Sequence, residues 1–183
     1  MIVIQSRLHV PDLRAGEVLD FLLNCTDEQY RAWWPGTHLQ MHARARFPDH
    51  IGNVYYMDEF VGEYRIRMTG VVCGLEPGRR IVWQLKKGVT LPVWLTLELK
   101  DDAAGVAITH TIEAGFRGLG RLFDPLFRQY FSQRFERAMD KHARAEFPKL
   151  RDLLRSADSG LLADEQSDGS RLAGSCSSPG KLQ

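Results

Sequence analysis

Alternation with period two dominates the middle of the chain. Between His38 and Ala114 it predicts strands at His38–Phe47, Asn53–Val61, Glu63–Gly74, Arg79–Lys86, Pro92–Lys100 and Val106–Ala114. The breaks between them, PDHIG, Gly62, LEPG, KKGVT and DDAAG, are of hairpin length. No helix-length crossover intervenes, so the sheet is expected to be antiparallel, with one face buried and one facing water. In LPVWLTLELK, Val93, Leu95, Leu97 and Leu99 take one face, and Trp94, Thr96, Glu98 and Lys100 take the other. An earlier strand, Ile2 to Val10, places Ile2, Ile4, Leu8 and Val10 on one parity.

Three-and-four spacing marks the remaining segments. A short helix is predicted over Arg14–Leu23. A second starts at Thr26, where Thr26-Asp27-Glu28-Gln29 fits a capping box, and stops before Pro35. It ends on the tandem Trp33-Trp34; adjacent residues diverge by about 100° on a helix, so the two rings cannot share one core. Positions 122, 123, 126, 127, 130, 131, 135, 139, 142, 147, 150, 153 and 154 trace one face of a long closing helix. Asp124 before Pro125 reads as its cap, and Pro148 as a kink or short break. About 30 helical residues span roughly 45 Å, longer than a strand, so this helix must cross the sheet. From Ser156 the chain turns rich in Ser, Gly and Asp, which predicts one domain over 1–155 and a disordered tail over 156–183.

Composition narrows the function classes. Twenty-four basic residues stand against 23 acidic ones for a net charge of +1, so no global field favours nucleic acid. The start, MIVIQSRLHV, has no basic leader, and no apolar run approaches the ~20 residues of a spanning helix, which predicts a cytoplasmic protein. Three cysteines without CxxC spacing indicate neither a disulfide framework nor a zinc knuckle. One regional imbalance stands out: residues 117–155 hold ten basic and five acidic residues. A positive outer helix face suits transient contact with an anionic membrane surface, and a solvated face is the plainer alternative. The oligomeric state is not legible.

The segments AWWPGTH (32–38), VGEYRIRMTGVV (61–72), LEPGRRIVW (75–83) and the helix after DPLF (124–127), in the order β-α-α-β6-α, resemble the START-like superfamily. That superfamily includes polyketide cyclase/dehydrase-like and lipid-transport proteins. The resemblance implies an α+β helix-grip fold, a curved antiparallel sheet wrapped around a long C-terminal helix. It also implies an apolar small molecule, such as a lipid, quinone or polyketide, held between sheet and helix. It implies no shared catalytic motif.

Candidate site residues follow from parity and from that expectation. Trp34, closing the second helix, is expected to line the cavity opening, with His38 at its rim. Met68, Trp83, His110 and Phe127 are expected inside, His110 as the main polar contact because it shares parity with Val106, Ile108 and Ile112. Glu59, in parity with Tyr55 and Met57, is the candidate carboxylate, although Asp58 or a rim salt bridge to Arg65 or Arg67 competes with it. His110 with such a carboxylate would suit a cyclase or dehydratase using acid/base chemistry, the alternative to plain binding. His38 and His42 stand four apart but follow Pro-Gly in a strand-like run without Cys or HExxH partners, so no metal is predicted. Nucleophile elbows, Walker loops and dinucleotide fingerprints are missing, and no cofactor is predicted.

Overall fold

The computed structural model describes residues 1–116 and 128–172, with the side chains of 158–172 left aside. The elements are β1 (Ile2–Pro11), α1 (Ala15–Asn24), α2 (Asp27–Trp33), β2 (His38–Ala45), β3 (Val54–Val61), β4 (Tyr64–Glu76), β5 (Arg80–Lys87), β6 (Val89–Asp101), β7 (Gly105–Ala114) and α3 (Gln133–Leu172). All seven strands form one antiparallel sheet in the order β1-β7-β6-β5-β4-β3-β2. Six of them follow as a meander, and β1 pairs with β7 over its full length, from Ile2 opposite Ala114 to Pro11 opposite Gly105. The expected strand and short-helix boundaries agree to within about three residues, because hairpin turns punctuate the alternation cleanly.

The first compact unit runs from Met1 to Arg151. Its core combines the inward parity of the strands (Ile4, Tyr55, Ile66, Trp83, Leu97 and Ile108) with the apolar stripe of α3 (Phe135, Met139, Ala143, Phe147 and Leu150). Asn53 secures the β2–β3 connection: its Oδ1 accepts the Phe47 N–H at 2.6 Å. Its Nδ2 donates to the Tyr55 hydroxyl, which in turn donates to the Leu23 carbonyl. Tight backbone approach also fixes the β6–β7 turn. A Cβ at Gly105 would run into the Val10 carbonyl and the Pro11 backbone. Gly105→Ala should therefore cost about 1–3 kcal/mol in urea denaturation; unchanged stability would show that the β1 end can shift freely.

The capping box at Thr26 is present, with the Gln29 N–H donating to Thr26 Oγ1 at 3.2 Å and the Thr26 N–H donating to Gln29 Oε1 at 3.0 Å. The continuous helix α3 starts later than the Asp124-Pro125 signal suggests; that dipeptide lies outside the described residues. Ser132 is the cap, its Oγ accepting the Phe135 N–H at 3.3 Å and its carbonyl the Glu136 N–H at 2.9 Å. Pro148 sits within α3 without ending it. In the second unit, Asp152–Gln183, the backbone is helical to Leu172, across the start of the segment whose composition predicts a tail.

Candidate functional site

The two tryptophans at the end of α2 part company. Trp33 turns inward, 3% exposed, edge-on to Phe21 at 5.4 Å, and its Nε1 donates to the Glu146 carbonyl at 2.8 Å. Trp34 is only half-buried. It lies flat against the His142 ring at 4.9 Å, with the Lys149 ammonium over its own ring at 5.3 Å. Gly36, at φ +77°, then reverses the chain, and the His38 N–H returns to the Trp34 carbonyl at 2.9 Å.

β2 opens on a bulge. His38 pairs with Glu59 and Gln40 with Asp58, so Leu39 is the extra residue, and His38 and Met41 can both face inward. His38 is fully buried, stacked on Tyr30 at 4.1 Å with ring planes 5° apart. Glu59 also faces inward from β3, and its Oε2 accepts the Tyr30 hydroxyl at 2.6 Å. The competing carboxylate is spoken for: Asp58 forms a bidentate pair with Arg65, at 2.9 and 2.8 Å, and a third bond to Arg67 at 3.2 Å. Those guanidiniums hold its carboxyl below the usual range.

α3 supplies the rest. His142 and Glu146, one turn apart, interrupt its apolar stripe on the buried side. His38 Nε2 lies 3.7 Å from Glu59 Oε2 and 3.5 Å from Glu146 Oε1. His142 Nε2 lies 3.8 Å from Glu59 Oε2 and 3.8 Å from Glu146 Oε2. One donor atom from each of the four residues falls within 4.8 Å of every other. Neither Nε2 has a hydrogen-bond partner. Burial, with His142 nearby, takes His38 down to about 3, and burial takes His142 to about 4, so both imidazoles are neutral. Burial pushes both carboxyls up, Glu146 further because Glu59 faces it. Two neutral imidazoles thus converge on two largely buried carboxyls.

The cluster forms one end of a cavity. An inner chamber of about 80 Å³ is lined by Tyr30, Glu59, Trp83, His110, His142 and Glu146, together with apolar neighbours. An outer chamber of about 370 Å³, almost wholly apolar, lies against Ile66, Leu91, Val93, Phe131 and Phe135. Met68, Leu85, Ile112 and Met139 border both.

No protein-family model matches the sequence, and no curated protein does either. Solved structures do match. A structural-genomics protein from Nitrosomonas europaea superposes with a TM-score of 0.52 at 14% identity, over 86% of this chain and 97% of that one. A Staphylococcus aureus protein of unknown function gives 0.54 at 8% identity, over 86% and 97%. The major latex-like protein 151 of Panax ginseng gives 0.50 at 9% identity, over 77% and 96%. The fold is the helix grip. At these identities the likeness carries the architecture alone, and the residues of the cavity must carry the chemistry.

Within the helix grip, Met68, Trp83, His110 and Glu59 come together on the inner chamber. Trp34 touches it through His142, and Phe127 lies outside the described residues. His38 sits beneath the cavity floor instead of at its rim, because the Leu39 bulge turns it inward. His42, tested from sequence as its metal partner, bonds Asp27 at 2.9 Å on the outer side. Sequence reasoning missed Tyr30, His142 and Glu146. The available signal was an H-x-x-x-E pair on the apolar stripe, where position 142 passed as one more core position.

Proposed function

We propose that the chain is a metal-dependent enzyme acting on an apolar small molecule that carries an oxygen function, with a divalent ion held by His38, Glu59, His142 and Glu146. The observation behind this reading is the pair of buried, unpartnered Nε2 atoms facing the same two carboxylates. Ligand bonds of about 2.1 Å in a tetrahedral zinc site put donors roughly 3.4 Å apart. The four N···O separations, 3.5–3.8 Å, run to Glu59 Oε2 and to both oxygens of Glu146, and with one donor atom per residue all four lie within 4.8 Å, so the set must contract onto an ion. Two imidazoles and two carboxylates suit a first-row divalent ion, zinc among them. An ion bonded to three of the four donors would keep one position open, at which it would polarise a carbonyl oxygen or acidify a bound water, and this favours hydrolytic or hydration chemistry. The chain's own part is to shield the site from bulk water, hold the ion, and receive the proton on whichever of Glu59 and Glu146 is left off it.

Tyr30 supports the set twice. Its hydroxyl fixes one Glu59 oxygen and its ring fixes the plane of His38, the orienting role that outer partners play around metal ligands. Glu59 and His110 share the inner chamber, so the metal-free alternative is the acid/base pair expected from the sequence. Metal analysis separates the two. Purified protein dialysed against trace zinc should retain one equivalent, whereas His142→Ala and Glu146→Ala should retain less than a tenth. Full zinc binding by both variants, or none by the parent, would leave the acid/base reading in its place.

A further inference from the structure

The division of the cavity bears on what the enzyme accepts. The inner chamber, about 80 Å³, is far smaller than the outer one, about 370 Å³, so the small end of a ligand fits beside the four donors and its bulk lies outside. The outer chamber, about 370 Å³, lies at the small end of ligand pockets and is walled by Ile66, Leu91, Val93, Phe131 and Phe135. Four side chains belong to both chambers, and two of them, Met68 on β4 and Met139 on α3, are unbranched and adaptable. Deep in the small chamber Trp83 Nε1 is buried without a partner, as is His110 Nδ1. An indole N–H only donates, so the missing group is a hydrogen-bond acceptor.

From this division we infer that the substrate is an apolar ring or chain bearing one compact carbonyl or hydroxyl head, and that Met68 and Met139 form the size filter through which the head passes. The inference rests on the proposed metal centre for the head's destination, and on the two chambers for its shape. The body stays in the outer chamber, where each buried methylene contributes about 0.8 kcal/mol. The head reaches the donors and meets the Trp83 N–H. Bulky or branched heads are refused at the two methionines, and the outer wall, apolar apart from Arg67 and Lys87, favours an apolar body.

Alkyl hydroxamates probe this directly, since a hydroxamate is a small oxygen-rich head that chelates zinc. On zinc-loaded protein, calorimetric titration should show octanohydroxamate binding at least 30-fold tighter than acetohydroxamate. Met139→Trp, which fills the passage, should bring the two within about threefold of each other. Met68→Ala, a milder change that keeps the fold should the tryptophan prove too large, should raise affinity for the branched pivalohydroxamate at least fivefold relative to acetohydroxamate. Equal affinities of the two linear probes for the parent would overturn the two-chamber substrate while leaving the metal centre intact. Octanohydroxamate binding equally well to His142→Ala would show the body held without its head, and would also overturn it. If acetohydroxamate does not bind and zinc is not taken up, the failure lies with the metal centre itself.

Discussion

Zinc-saturated protein should melt about 8–16 °C above the same protein stripped with a chelator. An ion that binds the folded state alone adds about 4 kcal/mol when its free concentration is a thousandfold above Kd. For a chain of this size each kcal/mol moves the melting temperature by roughly 2–4 °C. The size of the effect follows from pre-assembly: the four donor side chains stand within 4.8 Å of one another, ordered by a β-bulge, a Tyr30 stack and a helix turn. An ion there would offset the raised carboxyl affinity for protons that burial causes, and would partner the two orphaned nitrogens. His142→Ala and Glu146→Ala should erase the increment. His42→Ala should keep it, because His42 lies outside the cluster against Asp27. Scanning calorimetry with and without zinc decides the matter; a melting temperature indifferent to zinc in the parent would dismiss the metal centre.

His110→Phe should separate acid stability from ligand binding. Burial, with His142 nearby, lowers His110 to about 4, against about 6.5 in the unfolded chain. Above pH 6.5 the imidazole is neutral in both states and the protein has the full stability. As pH falls from 6.5 towards 4, the unfolded chain takes up a proton that the folded chain refuses, so stability is lost, by about 3 kcal/mol at 1.36 kcal/mol per unit. The phenylalanine variant lacks this contribution, and its stability should fall less over that window by the same amount. His38 and His142 add slopes of the same sign, which is why the comparison is made between variant and parent. At pH 7.5, loss of the ring nitrogens should weaken a ligand with an oxygen head by about 1–3 kcal/mol. Urea denaturation at pH 7.5 and 4.5, with hydroxamate affinity at pH 7.5, measures both. A variant with parental acid lability and parental affinity would remove His110 from the site.

The strands were legible because each one repeats the same local decision. Val93, Leu95, Leu97 and Leu99 alternate with polar residues along β6, and only one register buries them. The Thr26 cap and the Pro35 stop were equally local. Glu59 could be placed by parity with Tyr55 and Met57, and His110 by parity with Ile108 and Ile112. At His38 parity failed: the bulge at Leu39 adds a residue on one strand without changing composition, so a residue read as rim became the floor of the site. Asp124-Pro125, the cap expected from the sequence, lies outside the described residues, and Ser132 caps the helix that starts at Gln133.

Sequence by itself determined the order of elements, the antiparallel meander and the inward faces, since all of these rest on interactions a few residues apart or on a repeating period; the expectation of a cavity came from the family resemblance. Tertiary structure alone decided that Tyr30, His38, Glu59, His142 and Glu146 meet. Their separations along the chain run to more than a hundred residues, and none is unusual in its own segment. Each buried polar side chain is costly alone. Only when α2, β2, β3 and α3 close on one another do those separate groups become a single cluster, with one donor atom from each of His38, Glu59, His142 and Glu146 within 4.8 Å of the others.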